Sequence, residues 1–323
     1  MTRPAASLES RTRMSHALLI ACTVAAAIAV SALAVLLVTI AVDGIGSLSW
    51  RFITSFASRK AANAGILAPL TGSVWVCAIC ALVAIPMGIC TALYLEEYAK
   101  KSRLQSIIQL NISNLAGVPS IVYGLLALAV FVRFLGFRSG EQPLTFSIDW
   151  SSMQIVSPGN PDSLWFIQVP FGPGVLSGGL TLALVVLPIM ITASQEALRA
   201  VPKSLRQAAE ALGSTRWQVA WRVTLPAALP TMMTGAILSI SRALGEAAPL
   251  LVIGGFLMVL QTPTNLMSDF TVLPMQIYNW GGRPQIEFHK IAAAAIIVQL
   301  VVLLTFNALA IFVRQSFQKP LQS

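Results

Sequence analysis

Six apolar runs, each long enough to cross a bilayer as a helix, constrain this chain more than any other feature. A helical span needs about 20 consecutive apolar residues. The runs Ala17–Val42, Leu70–Leu93, Ile107–Leu135, Gly174–Ser194, Thr231–Leu257 and Ile291–Val313 meet that length. In lipid every backbone polar group must be satisfied internally, so such runs fold as helices. Only 10% of the 323 residues are charged, against about 25% in an average soluble domain. The expected fold is an all-α membrane protein with six transmembrane helices. It forms one domain over residues 17–313, flanked by a tail at 1–16 and another at 314–323.

The first run follows Arg3, Arg11 and Arg13, as a secretory signal would. Its apolar stretch is too long for a signal core and no small-residue cleavage site follows, so it reads as a retained anchor. Orientation follows from Lys and Arg. With the N-terminus inside, 13 of the 21 basic residues fall in cytoplasmic segments, 7 fall outside, and Arg242 alone lies within a span. The expectation is a multi-pass plasma-membrane protein with both termini cytoplasmic and with lipid as its surroundings.

The net charge of +9 is dispersed among the spans. No basic stripe with interleaved aromatics occurs, so nucleic acid is not an expected partner. Cys77 and Cys80 make a C-x-x-C, but Cys22, Cys77, Cys80 and Cys90 all sit in apolar runs, where a thiol packs as a small hydrophobe. His16 and His289 lie far apart at membrane boundaries, and no metal site is expected. The outer segment 137–173 is the most polar, and its Trp150, Trp165 and Phe166 read as interface anchors or as a docking surface for an external partner.

A turn between the fourth and fifth runs needs only a handful of residues, yet 195–230 is a basic, helix-forming segment. One short helix, SLRQAAEALG, is expected after Pro202, with Gly213 as its terminator. A second, STRWQVAWRV, is expected to start at Ser214 as N-cap and to stop at Leu225-Pro226. The pair reads either as an interfacial knob, with Arg216, Trp217, Trp221 and Arg222 at the headgroups, or as a docking surface.

Arg242 and Glu246 interrupt the fifth run. A central arginine costs about 2.5–3.5 kcal/mol on insertion scales. Spacing of four places both charges on one helical face, near Gly235, Ser239 and Pro249. Arg before Glu is the weaker order for such a pair, which favours a role on a transport path over plain neutralisation. Ser239, Arg242 and Glu246 are therefore the candidate path residues. The guanidinium fork suits an oxyanion. A neighbouring carboxylate suits one that still carries a proton, as hydrogen phosphate does and sulfate does not. In GVPSIVYG, Pro119 breaks the third run, which either lines the path or kinks for packing.

The order Gln207-Ala208-Ala209, three residues, Gly213, nine residues, Val223 and Leu225-Pro226 resembles the EAA loop of ABC importer permeases, E-A-A-x3-G-x9-I-x-L-P. LYLEEYA at Leu93–Ala99, GVPSIVYGLLA at Gly117–Ala127, TLPAALP at Thr224–Pro230 and RALGEAAPLL at Arg242–Leu251 resemble the A-type permeases of phosphate-specific transport (Pst) systems. The resemblance implies a type I ABC importer permease fold. It makes Gln207, Ala208, Ala209, Glu210 and Gly213 a coupling helix against a separate ATPase. Gln207 stands where the family has Glu, and Glu210 lies one turn on as a substitute. The implied partners are a second, C-type permease, two ATP-binding subunits and an external phosphate-binding protein. No G-x-x-x-x-G-K-[ST] phosphate loop occurs here. No cofactor is thus expected in this chain, and ATP with Mg²⁺ would belong to the ATPase.

Overall fold

The computed structural model describes residues 8–100, 102–133, 144–149, 154–157, 159, 161–169, 171–255 and 259–317. Expectations that touch Arg3, Lys101, Arg138, Trp150 or the end of the second tail lie outside the described residues. The chain runs through α1 (Leu8–Ile45), α2 (Trp50–Thr54), α3 (Leu67–Leu93), α4 (Arg103–Leu115) and α5 (Ser120–Ala127). A small sheet of β1 (Leu144–Asp149), β2 (Gln154–Val156) and β3 (Ile167–Val169) follows. Then come α6 (Val175–Ala200), α7 (Lys203–Ala211), α8 (Arg216–Val219) and α9 (Leu225–Gly245). The described chain closes with α10 (Ala248–Val252), α11 (Leu273–Gly281) and α12 (Ile286–Phe317).

Five helical stretches are long and apolar enough to cross a membrane: Met14–Ile45, Leu67–Tyr98, Val175–Ala200, Arg216–Gly245 and Ile286–Gln315. The third expected span, Ile107–Leu135, is broken at Pro119, as its sequence leads one to expect. Its two halves, Arg103–Leu115 and Ser120–Arg133, meet at 107°. Pro119 has no N–H to continue the α4 ladder and instead caps α5. Tyr123 donates its hydroxyl to the Leu115 carbonyl at 2.7 Å, satisfying an acceptor at the broken end.

The fifth expected span is also redrawn. Its helix begins at Arg216, passes Leu225-Pro226 without stopping and ends at Gly245, well short of Leu257. A wide π-turn over Ala220–Thr224 precedes the proline, with the Leu225 N–H donating to Ala220. The ladder is already shifted there, so the missing Pro226 donor breaks nothing. At the far end Pro249 cannot donate to Gly245, and the helix stops.

α3 and α6 run parallel at the centre. Val76, Cys80, Ala84, Leu182 and Val186 form the core with Phe270 and Met275. A Cβ on Gly179 would lie 2.5 Å from Ile79, so only glycine permits this approach. Cys77 and Cys80 are both buried free thiols, as the packing reading expects. α12 lies antiparallel to α9 and is tied to it by polar contacts: Gln299 to the Leu244 carbonyl (3.4 Å), Ser241 to Asn307 (2.5 Å) and Arg314 to Thr234 (2.9 Å). α1 packs on α12, with Gly44 against Ala293 and Ala294, and is exposed from Met14 to Thr39.

One small sheet is set into the otherwise helical fold. Within 137–173 the strands pair antiparallel in the order β2-β1-β3, with Ser147 opposite Val156 and Leu144 opposite Val169. Leu144-Thr-Phe-Ser-Ile-Asp149 alternates apolar and polar residues, the period of a strand. Asn265 donates to the Pro161 carbonyl at 2.8 Å and joins this sheet segment to the loop before α11.

Candidate translocation and coupling sites

The charged pair sits where α9 ends. Arg242 occupies the last turn, and Glu246 is the C-cap in extended conformation, φ −83° and ψ 120°. The two are thus not four apart on one continuous helix, and the order rule for helical pairs does not govern them. They still meet, with Arg242 Nε 3.4 Å from Glu246 Oε1. A cation in the last turn is stabilised by the negative end of the helix.

The two groups face different surroundings. The Arg242 side chain is 54% exposed and that of Glu246 only 18%. Thr231, Thr234, Leu238, Arg242 and Gly245 form one open stripe along α9, a spacing that fits one helical face. Glu246 lines a cavity of about 10 Å³ with Ser73, Cys77 and Leu182, room for about one water. Ser239 is not on the open stripe. It is 1% exposed, and its hydroxyl has no hydrogen-bond partner.

Two broken helices meet beside this pair. A Cβ on Gly124 of α5 would lie 2.7 Å from the Pro249 carbonyl of α10. Discontinuous helices whose ends meet in mid-membrane are a common way to build a transport site, because freed backbone groups and helix ends become available there. The strings GVPSIVYG and RALGEAAPLL, far apart in sequence, are in contact through these two residues.

The candidate coupling helix α7 is largely exposed. α7 has no buried residue. Gln207, Ala208, Glu210 and Gly213 are exposed, and Ala209 is half-buried. Gly213 takes the left-handed conformation, φ +82°. Its N–H donates to Glu210 at 2.9 Å, and Ser214 N–H donates to Ala209 at 3.2 Å, the two bonds of a glycine helix stop. The next N-cap is Thr215 rather than Ser214. Thr215 and Gln218 form a reciprocal capping box, with bonds of 2.9 and 3.4 Å.

Several contacts had no signal in the sequence beyond charge or aromatic character. A second π-turn, Tyr94–Tyr98, extends α3. From it Glu96 accepts from Arg199 (2.6 and 3.0 Å), and Glu97 meets Arg206 (3.0 Å). Tyr98 lies 6.3 Å from Trp217, which lies 5.2 Å from Trp221. Gln109 of α4 and Gln195 of α6 exchange hydrogen bonds of 3.0 and 2.9 Å. Arg314, expected in a tail, is held in α12 against Thr234.

Comparison with known proteins fits this layout. The probable ABC transporter permease YqgI of Bacillus subtilis is 29% identical over 84% of this chain and 85% of its own length. The phosphate transport system permease PstA 1 of Mycobacterium tuberculosis is 30% identical over 77% of this chain and 70% of its own. The phosphate transport system permease PstC of Mesorhizobium japonicum is 32% identical over 73% and 69%. A bacterial alginate ABC transporter, crystallised with a periplasmic protein bound to an alginate pentasaccharide, matches with TM-score 0.63 over 96% of each chain. At 16% identity that likeness shows the fold alone. Residues 84–319 match the family described as binding-protein-dependent transport system inner membrane component, and the chain belongs to that family.

Proposed function

We propose that this chain is one of two permease subunits in an ATP-driven importer of inorganic phosphate. It takes the A-type position beside a C-type partner, with both termini cytoplasmic. Two ATP-binding subunits hold ATP with Mg²⁺, one of them docked on the α7–α8 hairpin and the other on the partner permease, and an external phosphate-binding protein delivers the anion. The observation that carries the reading is the open outer face of the hairpin, where Leu212 is 88% and Trp217 59% exposed. Apolar side chains exposed on a polar, basic segment mark a protein interaction surface. The phosphate reading rests on the relatives' names and on the guanidinium of Arg242 at a helix break.

In this reading Gln207, Ala208, Ala209, Glu210 and Gly213 form the contact with the ATPase. Arg242 meets the anion with a planar donor fork, and Glu246 accepts a hydrogen bond from the hydroxyl that hydrogen phosphate retains. The test is phosphate uptake and ATP hydrolysis by the reconstituted complex with Arg242→Gln. Uptake lost with hydrolysis retained is expected. Unchanged uptake removes Arg242 from the path, and wild-type complex that imports sulfate or molybdate in preference to phosphate overturns the substrate. Unaltered phosphate-over-sulfate selectivity in Glu246→Gln removes the carboxylate's role.

A further inference from the structure

α3 does not end where its apolar run ends. Its last turn is the π-turn Tyr94–Tyr98, with Ala99 N–H donating to Tyr94. A turn wider than an α-turn brings consecutive side chains closer in azimuth, so Glu96 and Glu97 both face the hairpin. Three side-chain contacts run from this one turn toward α6, α7 and α8. Glu96 takes two N–H groups of Arg199, at the end of α6. Glu97 meets Arg206, in α7, and the Tyr98 ring lies tilted at 6.3 Å from Trp217, in α8.

The two ion pairs are unequal. Arg199 is 58% exposed, and an exposed pair contributes little. Arg206 and Glu97 are 23% and 15% exposed. The Arg206 guanidinium also donates to the Leu198 carbonyl at 2.7 Å, so one side chain joins α7 to the ends of both α3 and α6. Arg206 Nε and Glu97 Oε1 are buried without a hydrogen bond. Either group left alone would keep a poorly solvated charge. Ordinary positive-inside charge needs no such burial.

We propose that Glu97 and Arg206 are positioning residues that clamp the coupling hairpin to α3, so that displacement of α7 moves α3 and α6 as well as α9. Glu96–Arg199 and Tyr98–Trp217 brace the clamp. Without it, the described covalent route from the hairpin runs only into α6 and α9. With it, the same motion reaches the parallel α3–α6 core that packs against the helix breaks. The transmission role rests on the coupling reading above; the clamp itself does not.

Two measurements separate them. In the solubilised full chain without ATPase, Glu97→Gln and Arg206→Gln are expected to speed amide exchange over Leu205–Ala211 by about tenfold. The charge-exchanged pair, Glu97→Arg with Arg206→Glu, is expected to return toward wild type. Glu96→Gln, at the exposed arm, is expected to change it by less than about twofold. In the reconstituted complex each Glu97 or Arg206 single variant keeps the ATPase bound and hydrolysing but imports about tenfold less anion per ATP. The exchanged pair recovers the ratio. Unchanged exchange in both single variants, or an equal effect from Glu96→Gln, overturns the clamp. Faster exchange with an unchanged anion-to-ATP ratio overturns transmission through it. A wild-type chain that binds no ATPase fails the coupling reading alone, and the exchange results still decide the clamp.

Discussion

Replacing Gly124 by alanine tests whether the two helix breaks depend on close contact. The new Cβ would lie 2.7 Å from the Pro249 carbonyl oxygen, 2.8 Å from Pro249 Cα and 3.0 Å from Val252 Cβ. Two of these are backbone atoms, so no side-chain rotation relieves the overlap and α5 must move away from α10. Overpacking of this kind costs about 1–3 kcal/mol. At roughly 2–4 °C per kcal/mol, the unfolding midpoint falls by about 2–12 °C. Glu246 lies two residues before α10, so a shifted α10 also displaces the carboxylate from Arg242. The assay is thermal unfolding of the solubilised chain followed by phosphate uptake in the complex, with Gly117→Ala as control. A Cβ at Gly117 meets only the Asn114 carbonyl, at an ordinary 3.5 Å. That control is expected to hold or to gain about 0.4–1 kcal/mol through a less flexible unfolded chain. Wild-type midpoint and uptake in Gly124→Ala would refute the argument. Equal loss in the control would assign the cost to losing any glycine.

Gly213→Ala removes no contact, because nothing lies within 4 Å of its Cβ position, yet φ is +82°. The left-handed backbone costs about 1–2 kcal/mol for an ordinary residue, so less ATPase should copurify, and Gly213→Asn should do better; Asn no better than Ala contradicts the conformational cause. Gln195→Leu strands the Gln109 amide, at about 1–3 kcal/mol, whereas Gln109→Leu with Gln195→Leu should recover most of it. A double-mutant cycle of unfolding midpoints checks this, and simple additivity would deny the pair.

Much of the fold is local and therefore legible. Five of six apolar runs become long helices, since lipid leaves a backbone no other partner. Gly213 ends α7 as expected, because a left-handed stop is a property of one residue and its neighbours. The misses share a cause. Hydropathy counts apolar residues but not backbone donors, so it carries Thr231–Leu257 through Gly245 and Pro249, whereas Pro119 announces the break within Ile107–Leu135. The small sheet escaped because three short strands earn their stability from one another across the 137–173 segment.

The candidate site divides in the same way. Arg242 and Glu246 stand out in sequence because charge is costly in lipid, but they meet across the end of α9 and not along one helical face. That one is open and the other turned inward is a consequence of where α9 ends and what packs around it. Ser239 shows the limit of periodicity, which groups residues by angle without revealing which angle another helix covers.

By itself the sequence determined that the chain crosses a membrane, where α7 stops and which charges are out of place. Those features depend on composition and on neighbours within a turn or two. Only the tertiary structure decided that Glu97 reaches Arg206, that Gln109 reaches Gln195 and that Gly124 rests on Pro249. Such pairs lie tens of residues or more apart, and no local preference encodes them; they exist because the helices that carry them pack together.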